Sequence, residues 1–334
     1  MKVVVTDYIE PDLNWEAGKL AELGVEFTPH QLKFAPFEDV VAATRDADVV
    51  VVNMVAITRP LVESWTRCRT VIRHGVGYDN VDLKALDDAG IPLCFIPDYC
   101  VEEVAEQAIA LIFASARRIV SSRKVLDESS ANGRWDFKDT IPIFRMAGQK
   151  LGILGCGRIG SRVYEKLKSF GFQFLICDPY LTGERKRELG IETVDKETLF
   201  RESDLITIHT PLNAETRYIV NRESLALMKP TAYIVNTARG GMVDCDALAE
   251  ALKQNIIAGA AIDVYETEPP KPDYPLFEHR NAILTPHLAW YSEDAGVRIR
   301  EIILLEIERA MNGLPPRYIA NSVKSVRTPA EAQQ

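Results

Sequence analysis

Short apolar runs separated by helical patterns constrain this 334-residue chain more than any other feature. The runs are KVVVT (2–6), DVVVVN (48–53), TVIRH (70–74), LCFI (93–96), KLGILG (150–155), FLICD (174–178), LITIH (205–209), AYIVNT (232–237), AGAAIDV (258–264) and AILTP (282–286). Most are continuous rather than alternating, the pattern of strands covered on both faces. Helical stretches such as 158–170 and 244–254 lie between them. Strands alternating with helices imply βαβ units and parallel sheets. The series starts twice, at residue 2 and near residue 150, so an α/β chain with two doubly wound units is expected. Between the two series, 101–130 reads as one long helix or two consecutive ones, followed by a loop containing Trp135 and Pro142. The stretch 294–312 reads as a last helix, and 328–334 as a polar tail expected to be disordered.

Composition narrows the class. A formal net charge of −9 argues against a general nucleic-acid binder, which needs a basic face, but leaves room for a small anion held by local arginines. The six cysteines form no CxxC pair and no metal-ligand spacing, as expected of buried thiols in a reducing interior. No run approaches the ~20 apolar residues of a membrane-spanning helix, and the apolar stretch in MKVVVTD is too short for a signal peptide. These features predict a cytoplasmic protein with no metal and no membrane or nucleic-acid partner.

The stretch LGILGCGRIG sets Gly155, Gly157 and Gly160 directly after a strand candidate and at the opening of a helix. Asp178 closes the next strand candidate. Strand, glycines, helix and acid in this order are the dinucleotide-binding arrangement. The glycines permit a tight turn, backbone approach to a pyrophosphate, and close helix–strand packing. Backbone N–H groups at the helix start, near Arg158 and Ile159, face the phosphates with the helix dipole behind them. Asp178 would accept from the adenosine ribose hydroxyls and repel a 2′-phosphate, which favours NAD over NADP; Arg185 and Arg187 nearby could soften that preference.

Oxidation of a hydroxyl at a nicotinamide also needs a base, a group that tunes it, and a cation to orient the substrate. The histidines are His30, His74, His209, His279 and His287. His209 and His287 both end strand candidates of the second series, where ligands of doubly wound sheets bind. Arg239 follows AYIVNT with two glycines after it. Asp263 ends another strand, and Glu268 lies in the proline-rich loop beyond. Each has a bland reading: a surface ion pair for Arg239, a solvated loop acid for Glu268, a core histidine for His287. As a set on one sheet edge they point to chemistry. Met54, Tyr78, Trp290 and Tyr291 suggest an apolar or aromatic-lined pocket.

The segments GCGRIG, CDPY, NTARGGMVD, DVYETEPP and TPHLAWYSEDA, with HGVGYDNVDL (74–83) and VEEVAEQAIAL (101–111), together resemble the D-isomer-specific 2-hydroxyacid dehydrogenases. The segment HLAWYSE (287–293) looks most like the branch containing the C-terminal binding proteins, which are NAD-binding corepressors. The resemblance implies two Rossmann-like domains: a discontinuous substrate domain (1–100 and 292–327) and an inserted NAD-binding domain (101–291), with hinges near 100 and 292 that let the cleft close. It implies that His287 exchanges the proton at the C2 oxygen, that Glu268 pairs with its imidazole, and that Arg239 holds the substrate carboxylate. Val76 and Gly77 would bind that carboxylate through backbone N–H groups, and Trp290 would line the pocket. Cofactor contacts would come from Gly155, Gly157, Arg158, Ile159, Gly160, Asp178, Thr210, Pro211, Thr216, Thr237, Ala238, Arg239, Asp263 and His287, with Asp263 on the nicotinamide amide. The helix from 101 and the Trp135 loop resemble the family's dimer arm, which implies a homodimer.

The expected activity is reversible NAD-dependent reduction of a 2-oxo acid to a D-2-hydroxy acid. The competing expectations are a dinucleotide-sensing corepressor that binds peptides, and a dehydrogenase of the same superfamily acting on formate or phosphonate. His74 has no role in this scheme beyond packing.

Overall fold

The computed structural model describes residues 1–323; the polar tail at 328–334 lies outside them. The chain falls into two compact units. The first comprises Met1–Cys100 and the chain from Ser292 onward, and the second is Val101–Tyr291.

In the first unit, β1 (Lys2–Val5), β2 (Glu26–Pro29), β3 (Val49–Val52), β4 (Thr70–Arg73) and β5 (Leu93–Cys94) form a parallel sheet in the order β2-β1-β3-β4-β5. β3 is valine throughout and fully buried, as a central strand covered on both faces must be. Its neighbours bury Val4, Val71 and Ile72 alongside it. β2 was not apparent in the sequence. It is an edge strand with the pattern EFTP, exposed at both ends, and its apolar content is one phenylalanine. The C-terminal segment returns to the opposite edge, where Asn321 accepts from Leu93 N and donates to the Ile91 carbonyl.

In the second unit, β6 (Lys150–Leu154), β7 (Gln173–Cys177), β8 (Leu205–Ile208), β9 (Tyr233–Asn236), β10 (Gly259–Ile262) and β11 (Ala282–Leu284) form a parallel sheet in the order β11-β10-β9-β8-β6-β7. In both sheets the chain leaves the first strand to one side and then crosses back to the other. Each sheet therefore has a switch point, between β1 and β3 and between β6 and β8. Ligands of open α/β sheets bind at such points, beyond the carboxyl ends of the strands. Apolar clusters cover both faces of this sheet, one around Phe200, Leu248 and Leu276, the other around Leu111, Val163 and Leu167.

The stretch 101–130 forms two helices, Val101–Ala116 and Ile119–Ala131. Arg118 separates them at φ 51°, a left-handed conformation that no continuous α-helix accommodates. Side-chain caps fix other helix starts: Asp82, Asp195, Asp244 and Ser292 each accept an N–H of the first turn. No helix among the described residues is long and apolar enough to cross a membrane.

Candidate active site

The glycine loop leaves β6 at the switch point of the second sheet. Gly155 has φ +89°, and a Cβ there would lie 2.7 Å from Thr210 N. A Cβ on Gly160 would lie 2.1 Å from the Gly155 carbonyl oxygen. Both glycines are thus demanded by the chain's own backbone. Gly157 is different: its φ of −72° suits any residue, and a Cβ there meets nothing within 4 Å. The open space lies in front of the first N–H groups of the helix Arg158–Leu167, whose first residues are Arg158 and Ile159. That is the cradle a pyrophosphate requires. Thr237, 6% exposed just past β9, has a buried hydroxyl with no hydrogen-bond partner among the described residues. An orphaned hydroxyl at a strand end is the kind of group a bound ligand satisfies.

Asp178 follows β7. Its Oδ2 accepts from Cys156 N at 2.8 Å and its Oδ1 from Tyr180 N at 3.0 Å, so the acid is fixed against the glycine loop. Across the switch point, Thr216 organises the turn after β8. Its hydroxyl donates to the Pro211 carbonyl at 2.7 Å and accepts from Asn213 N at 2.8 Å. Thr210 and Pro211 begin that turn. His209, just before it, is half-buried; its Nε2 lies 2.9 Å from the Thr207 hydroxyl, and the burial of its ring pushes its pKa down to about 3. It is a neutral packing group, which leaves His287 as the acid–base candidate at this sheet edge.

Arg239, Glu268 and His287 belong to the segments following β9, β10 and β11. The Arg239 turn is held by Asn236, which is fully buried; its Nδ2 donates to the Arg239 carbonyl at 2.8 Å and its Oδ1 accepts from Ala238 N at 3.0 Å. A Cβ on Gly240 would lie 2.0 Å from the Tyr265 carbonyl carbon, so glycine alone allows the Arg239 turn to approach the loop that carries Glu268. Glu268 faces His287 directly. The Nδ1 of His287 lies 2.9 Å from Glu268 Oε1 and 2.7 Å from Oε2. Tyr265 N also donates to Oε1, at 3.0 Å. Burial alone would push the Glu268 carboxyl up. The hydrogen bond and charge of His287, the Tyr265 N–H and the Arg239 guanidinium outweigh burial and hold it below the ordinary carboxylate range.

His287 adopts φ 54°, a left-handed conformation that costs about 1–2 kcal/mol for a residue with a Cβ. Asp263 sustains it. The fully buried carboxylate accepts from the Thr285 hydroxyl, from Leu288 N at 3.0 Å and from Ala289 N at 2.9 Å, while its own carbonyl accepts from His287 N at 2.8 Å. The Asp263 carboxylate, at the end of β10, thus faces the turn 285–289. Trp290 packs edge-on against Tyr291, with ring centroids 5.3 Å apart.

Val76 and Gly77 lie in the first unit, in the loop after β4. Gly75, at φ 144°, starts that loop, and its carbonyl accepts from Ile96 N at 3.0 Å. His74, given only a packing role from sequence, pairs its Nε2 with Glu10 Oε1 at 2.9 Å. Sequence reasoning missed Asn236, Thr285 and the hold of Asp263 on the His287 turn. An Asn or Asp at a strand end carries no periodic signal, and only the fold shows which amides converge on it.

Comparison with known proteins agrees with this geometry. Residues 109–289 match the D-isomer specific 2-hydroxyacid dehydrogenase, NAD binding domain. The chain is 36% identical over 292 residues to the glyoxylate reductase of Korarchaeum cryptofilum, covering 87% of this chain and 88% of that protein. It is 38% identical over 324 residues to the D-3-phosphoglycerate dehydrogenase of Methanocaldococcus jannaschii, covering 96% of this chain but only 59% of that protein's length. The structure of the D-lactate dehydrogenase of Aquifex aeolicus, complexed with NAD and lactic acid, superposes with a TM-score of 0.81 at 28% identity, covering 93% of this chain and 96% of that one. The chain belongs to the D-isomer-specific 2-hydroxyacid dehydrogenase family. Its second unit carries the family's NAD-binding domain.

Proposed function

We propose that the chain catalyses reversible, NAD-dependent reduction of a small 2-oxo acid to the corresponding D-2-hydroxy acid. The observation that carries this reading is the His287–Glu268 pair, set beside Arg239 on the sheet edge that also holds the glycine loop. With Nδ1 committed to Glu268, the other ring nitrogen, Nε2, is the one left to meet substrate. In the reducing direction, Nε2–H of the protonated imidazole gives its proton to the C2 oxygen; in the oxidising direction, neutral Nε2 takes the proton back. Glu268 fixes the tautomer and stabilises the imidazolium as it forms. Arg239 holds the substrate carboxylate with a fixed fork of donors and polarises the adjacent carbonyl. The bound nicotinamide supplies or accepts the hydride. Trp290, beside His287 in the chain, lines the pocket.

Glyoxylate and phosphoglycerate in the names of the relatives, and lactic acid in the structural neighbour, support a short 2-oxo or 2-hydroxy acid as substrate. Asp178, at the end of β7, supports NAD over NADP, because its charge opposes a 2′-phosphate. The reading is tested by following NADH and NADPH oxidation across a panel of 2-oxo acids from glyoxylate and hydroxypyruvate to longer chains. Turnover of at least one acid, faster with NADH, is expected. Silence across the panel, with peptide partners captured instead, would overturn it in favour of the corepressor reading.

The protein is also proposed to be a cytoplasmic homodimer. Six cysteine thiols, five of them buried, support a reducing compartment. Trp135 (85% exposed), Phe137 (64%) and Ile141 (55%) put apolar surface in the segment after the helix Ile119–Ala131, which supports coverage by a second copy. Sedimentation equilibrium at micromolar protein is expected to give twice the 37.4 kDa chain mass, and a monomer would contradict this.

A further inference from the structure

Tyr180 and Glu215 lie in the loops on either side of the glycine loop, and the mechanism above uses neither. Tyr180 follows Asp178 in the loop after β7, where its own N–H donates to Asp178 Oδ1 at 3.0 Å. Glu215 lies in the turn after β8. Its N–H donates to Asn213 Oδ1 at 2.8 Å, and the same oxygen accepts from Thr216 N at 3.0 Å, which fixes the turn. β7 and β8 flank β6 in the sheet, so these loops face each other across the switch point. Their side chains meet: the Tyr180 phenol donates to Glu215 Oε2 at 2.6 Å. That bond joins residues 35 apart in the chain, at a tyrosine that is 73% exposed. The hydrogen bond to Glu215, and the charge of that carboxylate, push the Tyr180 phenol above its ordinary value, so it keeps its proton and stays the donor. A single tyrosine thus spans the gap between the carboxylates of Asp178 and Glu215. That sets the two charges about a Debye length apart, close enough to act on a common neighbour. From sequence, Arg185 offered a counterweight to Asp178. Its Nη2 lies 3.5 Å from the Ser161 hydroxyl, in the first turn of the glycine-loop helix, but its Nη1 is paired with Glu188 at 2.9 Å.

We propose that Glu215, held in place by Tyr180, is a second specificity-determining acid of the dinucleotide site. With Asp178 it puts negative charge on both sides of the crevice that takes the adenosine half, so a ribose 2′-phosphate is repelled from both loops. NADH and NADPH share their pyrophosphate, and repulsion common to both cancels in the ratio of their affinities. Only the 2′-phosphate reports the added charge. The inference rests on the reading of Asp178 as the acid that opposes a 2′-phosphate, and its own readout is the change in that ratio when Glu215 alone is altered.

The test is fluorescence titration of wild type, Glu215→Gln and Tyr180→Phe with NADH and with NADPH, at low and at high salt. In Glu215→Gln at low salt, the affinity for NADPH relative to NADH is expected to rise by about 2–5-fold, the size of an interaction between exposed charges. High salt shortens the Debye length to ~3 Å at 1 M, so the variant and the wild type should then converge. Tyr180→Phe keeps both carboxylates but releases Glu215 from its holder, and is expected to raise the ratio in the same direction by less. Both side chains are exposed, so neither substitution threatens the fold. An unchanged ratio in Glu215→Gln at low salt would overturn the proposal. So would an equal gain for both coenzymes, or a gain that persists at high salt, because either marks altered loop geometry in place of lost charge. A wild type that binds NADPH more tightly than NADH would remove the NAD preference assigned to Asp178, while the ratio in Glu215→Gln still decides the role of Glu215.

Discussion

A Cβ on Gly160 would lie 2.1 Å from the Gly155 carbonyl oxygen, whereas a Cβ on Gly157 meets nothing within 4 Å. Two glycines of one motif therefore answer to different constraints, the first to the fold and the second to the ligand. Gly160→Ala forces backbone apart in a packed turn and is expected to destabilise by ~2 kcal/mol or more. Gly157→Ala should unfold at the wild-type temperature and yet bind NADH at least ~10-fold more weakly, about 1.4 kcal/mol, because the methyl enters the space left for the pyrophosphate. Thermal unfolding and NADH fluorescence titration separate the two outcomes. Wild-type NADH affinity in Gly157→Ala would place the phosphates elsewhere. The motif and the division of labour within it were legible in sequence; the contacts that enforce it were not, because they depend on Thr210 and Gly155 approaching across the switch point. Likewise His287 and Glu268 were legible as candidates, whereas the left-handed backbone at His287 was not: nothing around it in the sequence, TPHLAW, marks a φ of 54°.

At the scale of elements, the continuous apolar strands were the easiest to read. VVVV at β3 and LITI at β8 are central, and burial on both faces leaves a uniform signature. β2 was lost for the opposite reason. An edge strand is specified by the neighbour it pairs with, here β1 from Lys2↔Glu26 to Val5↔Pro29, and not by its own composition. The same limit concealed the Glu10–His74 pair, which joins the segment after β1 to the end of β4. The side chains are 12% and 9% exposed. Burial opposes ionisation of Glu10, but the hydrogen bond and charge of His74, with backbone N–H groups, hold its pKa down to about 2, against an ordinary value of 4.5. A carboxyl lowered in the folded state stabilises above its unfolded value and loses that contribution as pH falls towards the folded one. Glu10→Gln is therefore expected to cost about 2 kcal/mol in urea unfolding at pH 7, with the gap to wild type narrowing between about pH 4.5 and about pH 2. A gap independent of pH over that range would show that the carboxylate charge contributes nothing.

At the scale of the whole molecule, two sheets with switched strand order each present a set of loops at the carboxyl ends of their strands. In the second unit those loops bring together a pyrophosphate cradle, an arginine turn tethered by Asn236, and an imidazole locked to a carboxylate. Family membership and the NAD-binding domain follow from sequence match and fold together; substrate identity does not, because side chains on loops set it. The account depends on His287 acting chemically while the dinucleotide site stands without it. The direct measurement is rapid-mixing turnover of His287→Ala with NADH and the best 2-oxo acid, alongside NADH affinity of the same protein. The expected result is NADH affinity within about 3-fold of wild type and hydride transfer slowed by ~10²–10⁴-fold, the contribution of a positioned general acid. Hydride transfer within about 10-fold of wild type would fall short of that contribution and contradict the assignment of His287.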